Sequence, residues 1–260
     1  MIDVHAHVLP QIDDGPNSWE DTMAMLRQGE EDGIKEVAIT HHILSNLDFQ
    51  REAEIITKFK EVKKRIEIEK IKIKVHLGSE LYSQVDMELD HTISTYNDNK
   101  KYFLVEFPMQ GVPRFVEEYF FEIITRGKIP VIAHPERNLG IIRNPERAYN
   151  FVQRGALLQM NAGSIVGRHG EPVKDTATVL LNSNLIHLVG SDAHNTQRRP
   201  MKLHDAMNII AENWGEQRAH ALFYDNPRKI LDGEAFSAPE PSPVQPLKKS
   251  LLSKVKNFFS

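Results

Sequence analysis

The side chains in this sequence best suited to chemistry are histidines and acids, and they come in short clusters along the chain. His5 and His7 are two apart and are followed by Asp13 and Asp14; then come the pair His41 and His42, Glu80, Glu106, His134, and Asp192 with His194. Residues two apart on a strand point to one face, so His5 and His7 can grip a single ion. Imidazoles mixed with carboxylates, without sulfur, suit Mn²⁺, Fe²⁺ or Zn²⁺ better than Ca²⁺ or a copper thiolate site. Taking one residue from each adjacent pair leaves nine plausible ligands, too many for one ion. They call for two or three metals bridged by carboxylate or hydroxide, an arrangement that clamps the attacking and leaving oxygens of a phosphoryl displacement and supplies hydroxide at neutral pH. Arg137 lies three residues after His134, and Arg198 and Arg199 lie four and five after His194. Their planar guanidinium forks match phosphate oxygens.

Each element alone has a plainer explanation. A lone His-x-His pair can be structural, Asp192 and His194 can form an Asx turn, and Glu80 and Glu106 can be solvated carboxylates. Position argues otherwise. Seven short β-branched runs alternate with helical patterns: Ile2–His5, Glu36–Thr40, Lys72–Leu77, Tyr102–Phe107, Ile129–Ala133, Leu157–Met160 and Leu185–Gly190. Six of them end in or run directly into one of these clusters. Alternation of this kind predicts an α/β protein built from βα units, in which sites assemble where the C-terminal ends of parallel strands converge. Glu106, closing the apolar run Phe103-Leu104-Val105, is expensive to bury without a partner or a metal. His76, His91, His169, His187, His204 and His220 lack such placement and read as structural or surface residues.

Between the strands, Ile55, Phe59, Val62 and Ile66 recur at helical spacing. Ser18 with Asp21 predicts a capping box opening the first helix, and Gly33 is placed to close it. Pro113 suits the first turn of a helix burying Phe115, Tyr119 and Ile123.

Composition narrows the class. The 260 residues contain no cysteine, which excludes a disulfide framework, a thiolate nucleophile and cysteine-based metal sites. A formal charge of −4 is not that of a nucleic-acid binder. The start Met1-Ile2-Asp3-Val4-His5 lacks a secretory pattern, and no apolar run reaches the 18 or so residues of a membrane span, so a cytoplasmic protein is expected. A barrel over residues 1–236 is expected to end at a stiff linker, residues 237–246, holding Pro239, Pro241, Pro243 and Pro246. Residues 247–260 then place Leu247, Leu251, Leu252, Val255, Phe258 and Phe259 among four lysines and no acid, which leaves −8 on residues 1–246. Such a basic amphipathic tail is either a solvated end or a contact for an anionic membrane surface or a neighbouring protein.

The segments Asp3-Val4-His5-Ala6-His7-Val8-Leu9-Pro10 with Asp13-Asp14-Gly15, Thr40-His41-His42, Gly78-Ser79-Glu80, Val105-Glu106-Phe107-Pro108, Ala133-His134-Pro135-Glu136-Arg137 and Gly190-Ser191-Asp192-Ala193-His194-Asn195 resemble the polymerase and histidinol phosphatase (PHP) superfamily. Within it they resemble the CpsB/YwqE-type branch of bacterial manganese-dependent protein-tyrosine phosphatases, which act on kinases controlling capsule or exopolysaccharide synthesis. The resemblance runs from Met1 to about Leu231. It implies a distorted (β/α)₇ barrel with a trinuclear site formed by His5, His7, Asp14, His42, Glu80, Glu106, His134, Asp192 and His194. It also implies phosphate-binding roles for Arg137 and Arg199, with Arg198 a solvated neighbour, and Mn²⁺ as cofactor, with Fe²⁺, Zn²⁺, Mg²⁺ or Co²⁺ as substitutes. The reaction implied is hydrolysis of phosphotyrosine by a metal-bound hydroxide, with His42 or His194 able to protonate the leaving phenolate. The competing expectation is a small phosphomonoester substrate, as in the histidinol-phosphatase branch.

Overall fold

The computed structural model describes residues 1–235 and 238–245, so the basic tail 247–260 lies outside the described residues, as do the two ends of the proline-rich linker. Seven strands form one parallel sheet in which every strand pairs with its successor: β1 (Ile2–Ala6), β2 (Glu36–Ile43), β3 (Lys74–Tyr82), β4 (Tyr102–Glu106), β5 (Ile129–Ala133), β6 (Leu157–Asn161) and β7 (Leu188–Gly190). The sheet closes just past β7. There Asp192 N–H donates to His5 O at 2.7 Å and His7 N–H donates to Ala193 O at 2.8 Å, with a bridge between Ala6 and Ala193. The result is a distorted (β/α)₇ barrel, with only a 3₁₀ turn (Tyr96–Asp98) between β3 and β4, sealed at the end where the strand C-termini gather.

Two apolar layers hold it. Ile2, Val4, Ala38, Tyr102, Leu104, Val131, Ala133 and Leu188 fill the interior, and a larger cluster that includes Ala6, Val37, Ile39, Phe103, Val105, Ile132 and Val189 packs the outside of the sheet against the helices. Period-two alternation follows directly: Leu104 points inward and Val105 outward, so Glu106 returns to the interior. In the same way Ala38 carries Thr40 and His42 inward. β1 departs from this rule. Asp3 pairs with Val37 and Ala6 with Ile39, so β1 spends one residue more than β2 over that interval. This bulge resets the alternation after Val4, and His5 and His7 both turn to the interior while Ala6 packs outside.

Gly190 on β7 makes the close approach possible. A Cβ there would sit 2.7 Å from Cβ of His5 and 3.2 Å from its backbone nitrogen. Gly190→Ala is therefore expected to cost about 1–3 kcal/mol and to displace His5. Urea denaturation at fixed metal concentration, with activity read in parallel, checks this; an unchanged midpoint would show that the barrel seam yields more easily than its packing suggests.

The helix predicted from Pro113 begins later. It spans Val116–Thr125 and buries Val116, Phe120 and Ile123, while Phe115 and Tyr119 are only partly covered. Ile123 is buried as the sequence suggested, but in the two turns before it the face against the core is carried by Val116 and Phe120, one residue on from Phe115 and Tyr119. Ser18 caps the first helix (Trp19–Glu31), accepting from Asp21 N–H, but the Asp21 carboxylate accepts from the Ser18 hydroxyl and not from its backbone N–H, so one arm of the expected capping box forms; Gly33 follows at φ +91°. Within the proline-rich stretch, Ser242 N–H donates to Ser183 O at 3.0 Å and Val244 packs on the outer core, so residues 238–245 run back along the end of the helix Glu171–Asn182.

Candidate metal centre

All the histidine and acid clusters singled out in the sequence gather at the sealed end of the barrel. Three groups form there, each with donor atoms within 4.8 Å of one another: His7, Asp14, His42 and His194; His5, His7 and Glu80; and His42, Glu80 and Glu106. The groups share His7, His42 and Glu80, so they adjoin. His134 Nε2 lies 3.0 Å from Glu80 Oε1 and 3.9 Å from Glu106 Oε2. Asp192 Oδ1 lies 3.6 Å from His5 Nε2, 3.8 Å from His7 Nε2 and 3.6 Å from His194 Nδ1. Nine side chains thus touch in one network, most of them buried; Glu80 is 1% exposed, whereas Asp14 at 59% stands at the mouth.

Two adjacent pairs are resolved by where the backbone aims them. His42 joins two of the groups, whereas His41, one residue back and so on the opposite face of β2, is buried with Nε2 3.2 Å from Ser79 Oγ. Asp14 reaches 3.0 Å from His194 Nε2. Asp13 acts one step removed: it accepts from His7 Nδ1–H at 2.7 Å, from His42 N–H at 2.9 Å and from Gly15 N–H at 3.0 Å. A carboxylate behind an imidazole fixes its tautomer and leaves Nε2 to face the centre.

Arg137 and Arg199 converge on Asp192, donating to its two oxygens at 2.8 and 2.5 Å. Arg199 also lies 3.5 Å from Asp14 Oδ2. Arg198 is exposed, and no ion pair to it occurs among the described residues. His134 and Asp192 both hold left-handed backbone, at φ +33° and +54°. Strain at two non-glycine strand ends that supply centre residues is the kind tolerated where function requires a particular side-chain direction.

Sequence reasoning passed over three supports. His5 Nδ1–H donates to Gln159 Oε1 at 2.8 Å, Asn161 Nδ2–H donates to Asp192 Oδ2 at 2.7 Å, and the buried Glu136 accepts from Asn161 N–H and Ser164 Oγ–H. The available signal was two amides on β6, whose other residues are apolar.

The electrostatics are those of a site built for cations. Burial opposes charge on the His7 imidazole, yet hydrogen bonds to Asp13 and Glu80 overcome it and raise its pKa to about 10. Burial, followed by the charge of Glu80, pushes Glu106 up to about 7. Burial acts against ionised Asp192 too, but His5, Arg199 and His134 hold it far below the carboxylate range. Protons are standing where positive charge is needed. His42 Nδ1 is buried without a hydrogen bond, 3.3 Å from Glu80 Oε2 and 3.4 Å from Glu106 Oε1, so a lone-pair donor and two carboxylate oxygens face one point. This donor set fits divalent ions of the Mn²⁺, Fe²⁺ and Zn²⁺ type.

Comparison with known proteins agrees in extent and in kind. Residues 1–232 match the family described as "Capsular polysaccharide synthesis, CpsB/CapC". The chain is 34% identical over 248 residues to tyrosine-protein phosphatase YwqE of Bacillus subtilis (strain 168), covering 94% of this chain and 97% of that one. It is 32% identical over 239 residues to tyrosine-protein phosphatase CpsB of Streptococcus pneumoniae, covering 89% and 98%. A solved structure described as "Crystal structures of YwqE from Bacillus subtilis and CpsB from Streptococcus pneumoniae, unique metal-dependent tyrosine phosphatases" superposes with a TM-score of 0.87 at 34% identity, covering 94% of this chain and all of the other.

Proposed function

We propose, because this chain belongs to the CpsB/CapC family of capsular polysaccharide synthesis, that it is a metal-dependent protein-tyrosine phosphatase whose centre is the nine-residue network at the sealed end of the barrel. The observation that carries the reading is the convergence of imidazoles and carboxylates from six strand ends on one point, with two arginines gathered on Asp192 beside it.

The ligands are His5, His7, Asp14, His42, Glu80, Glu106, His134, Asp192 and His194. Three adjoining groups joined by Glu80, His7 and His42 support two or three ions, and the sulfur-free donors support Mn²⁺ as the working metal. Bound ions would supply a hydroxide nucleophile at neutral pH and positive charge for the phosphoryl oxygens. The protein's own contributions follow from its geometry. Arg137 and Arg199, both partly exposed beside the centre, take phosphoryl oxygens in their planar forks as charge spreads over them. Asp13, Gln159 and Asn161 hold His7, His5 and Asp192 in register. The leaving phenolate, with a pKa near ~10, takes its proton from water, because His42 and His194 serve as ligands in this reading and burial lowers the pKa of both imidazoles. No covalent phosphoenzyme is required.

The substrate is a phosphotyrosine on a protein, in this reading a tyrosine kinase that governs capsule or exopolysaccharide synthesis. No helix among the described residues is long and apolar enough to cross a membrane. In this reading the enzyme works in the cytoplasm, and the four lysines among apolar residues in 247–260, beyond the linker 237–246 and the barrel 1–236, suit contact with an anionic membrane surface or a neighbouring protein.

A metal-by-substrate matrix tests the proposal: Mn²⁺, Fe²⁺, Zn²⁺, Mg²⁺ and Co²⁺ against a phosphotyrosine peptide and histidinol phosphate. The expected result is kcat/KM at least about 100-fold higher on the peptide, greatest with Mn²⁺, a difference of about 3 kcal/mol in transition-state binding. A preference for histidinol phosphate would overturn the assignment and favour a small-molecule phosphatase.

A further inference from the structure

A second cavity adjoins the centre on the side of the β6 and β7 loops. It is lined by Arg168, His169, Arg198, Arg199, Lys202 and Asp205, and it reaches Asp192. Asp192 is already engaged by Arg137, Arg199 and Asn161, which leaves Asp205 as the other acid on its wall. Among the described residues no carboxylate lies within ion-pair distance of Arg168, Arg198 or Lys202. Several cations around one concavity repel one another and focus a positive potential into it. His169 adds no charge of its own: burial first, then Arg137 with a contribution from Arg199, holds its imidazole neutral down to about 4. The cavity beside the β1 and β2 loops differs, with the acids Asp13, Asp14, Asp48 and Glu106, the apolar Ile43, Leu44 and Ile55, and Arg51 as its one Arg or Lys. The entrance is therefore richer in cations on the first flank and in acids on the second.

We propose that the cationic cavity is a substrate subsite that binds the carboxylate of an acidic residue flanking the phosphotyrosine, so that the enzyme selects phosphotyrosines in acidic segments. The proposal rests on the phosphotyrosine reading above. Arginine forks pair with carboxylates bidentately, and because the cavity shares Asp192 and Arg199 with the centre, a residue near the phosphotyrosine in sequence reaches it. Arg168, Arg198 and Lys202 are specificity-determining residues, separate from Arg137 and Arg199, which meet the transferred group.

The test uses the metal-loaded full chain and three phosphotyrosine peptides: one with glutamates flanking the phosphotyrosine, one with glutamines in their place, and one in which the glutamates are replaced by a second phosphotyrosine; 4-nitrophenyl phosphate is assayed alongside. The glutamate peptide is expected to exceed the glutamine peptide about tenfold in kcat/KM, through KM, with the advantage shrinking as KCl is added. Arg168→Glu and Lys202→Glu should each erase or reverse the preference, and the milder Arg168→Gln should reduce it, with thermal unfolding reporting the fold. Equal kcat/KM on the two peptides while 4-nitrophenyl phosphate is hydrolysed overturns the subsite alone. A preference confined to the doubly phosphorylated peptide overturns the carboxylate assignment, and a preference that survives both charge reversals overturns the cavity as its cause. Absence of turnover on every aryl phosphate overturns the phosphatase reading and the subsite with it.

Discussion

Chelation with EDTA is expected to abolish phosphatase activity, and Mn²⁺ to restore it. The expected loss is complete within detection, and a second readout accompanies it: the chelated protein unfolds at a lower temperature. His5, His7, Glu80, His134, Asp192 and His194 are all buried, and removing cations leaves Glu80 and Glu106 facing each other with only protons and imidazolium to compensate. An ion present at a thousand times its Kd stabilises the folded state by about 4 kcal/mol, so the shift in melting temperature is measurable by calorimetry. The direction with pH also follows. The His7 imidazole, with a pKa raised to about 10 in the absence of metal, must shed its proton to ligate, so reloading strengthens as pH rises and weakens as it falls. Activity that survives exhaustive chelation, or a melting temperature unmoved by it, would remove the metal centre from the account.

Asp192→Ala is the second large effect, expected to lower kcat on a phosphotyrosine peptide by about 10³-fold or more. Its two oxygens receive Arg137, Arg199 and Asn161 while facing His5, His7 and His194, so one truncation removes a ligand and releases both arginines. Arg137→Ala alone should cost about 10²–10³-fold, the usual consequence of deleting one charge-stabilising donor. The double variant should fall little below Asp192→Ala, because residues acting as a unit are not additive. Steady-state kinetics on the three proteins, with circular dichroism confirming the fold, gives the cycle. A few-fold loss for Asp192→Ala, or full additivity, would mean that the residue neither ligates nor positions the arginines.

Legibility differed by the kind of signal. The seven strands were readable because β-branched runs between helical patterns must alternate in a parallel barrel, although their ends shifted: β2 and β3 continue past the runs that announced them, to Ile43 and Tyr82, and β7 is only Leu188–Gly190. Extending β3 puts Glu80 on the strand itself, paired beside His42. The buried face of the helix Val116–Thr125 is not legible locally because Phe115 and Tyr119 offer an aromatic stripe beside Val116 and Phe120, and only the sheet decides which is buried. Gln159 and Asn161 carry no charge and so made no claim on attention, yet they fix His5 and Asp192. The basic cavity draws Arg168 from the segment after β6 and Arg198 and Lys202 from the segment after β7, residues about 30 apart that nothing in the linear order unites.

The sequence by itself determined the chemistry. Its lack of cysteine excluded thiolate attack, and its histidines and acids at strand ends pointed to a metal centre, because local residue type and period-two alternation are properties of short stretches. The tertiary structure alone decided how the centre is held, with His41 turned to Ser79 and Asp13 set behind His7. The β1 bulge that turns His5 inward, the β7–β1 seam that seals the barrel and the meeting of Arg137 with Arg199 on Asp192 depend on register between segments up to nearly 190 residues apart. Such register is set by packing and hydrogen bonding across the closed sheet, which no single segment encodes.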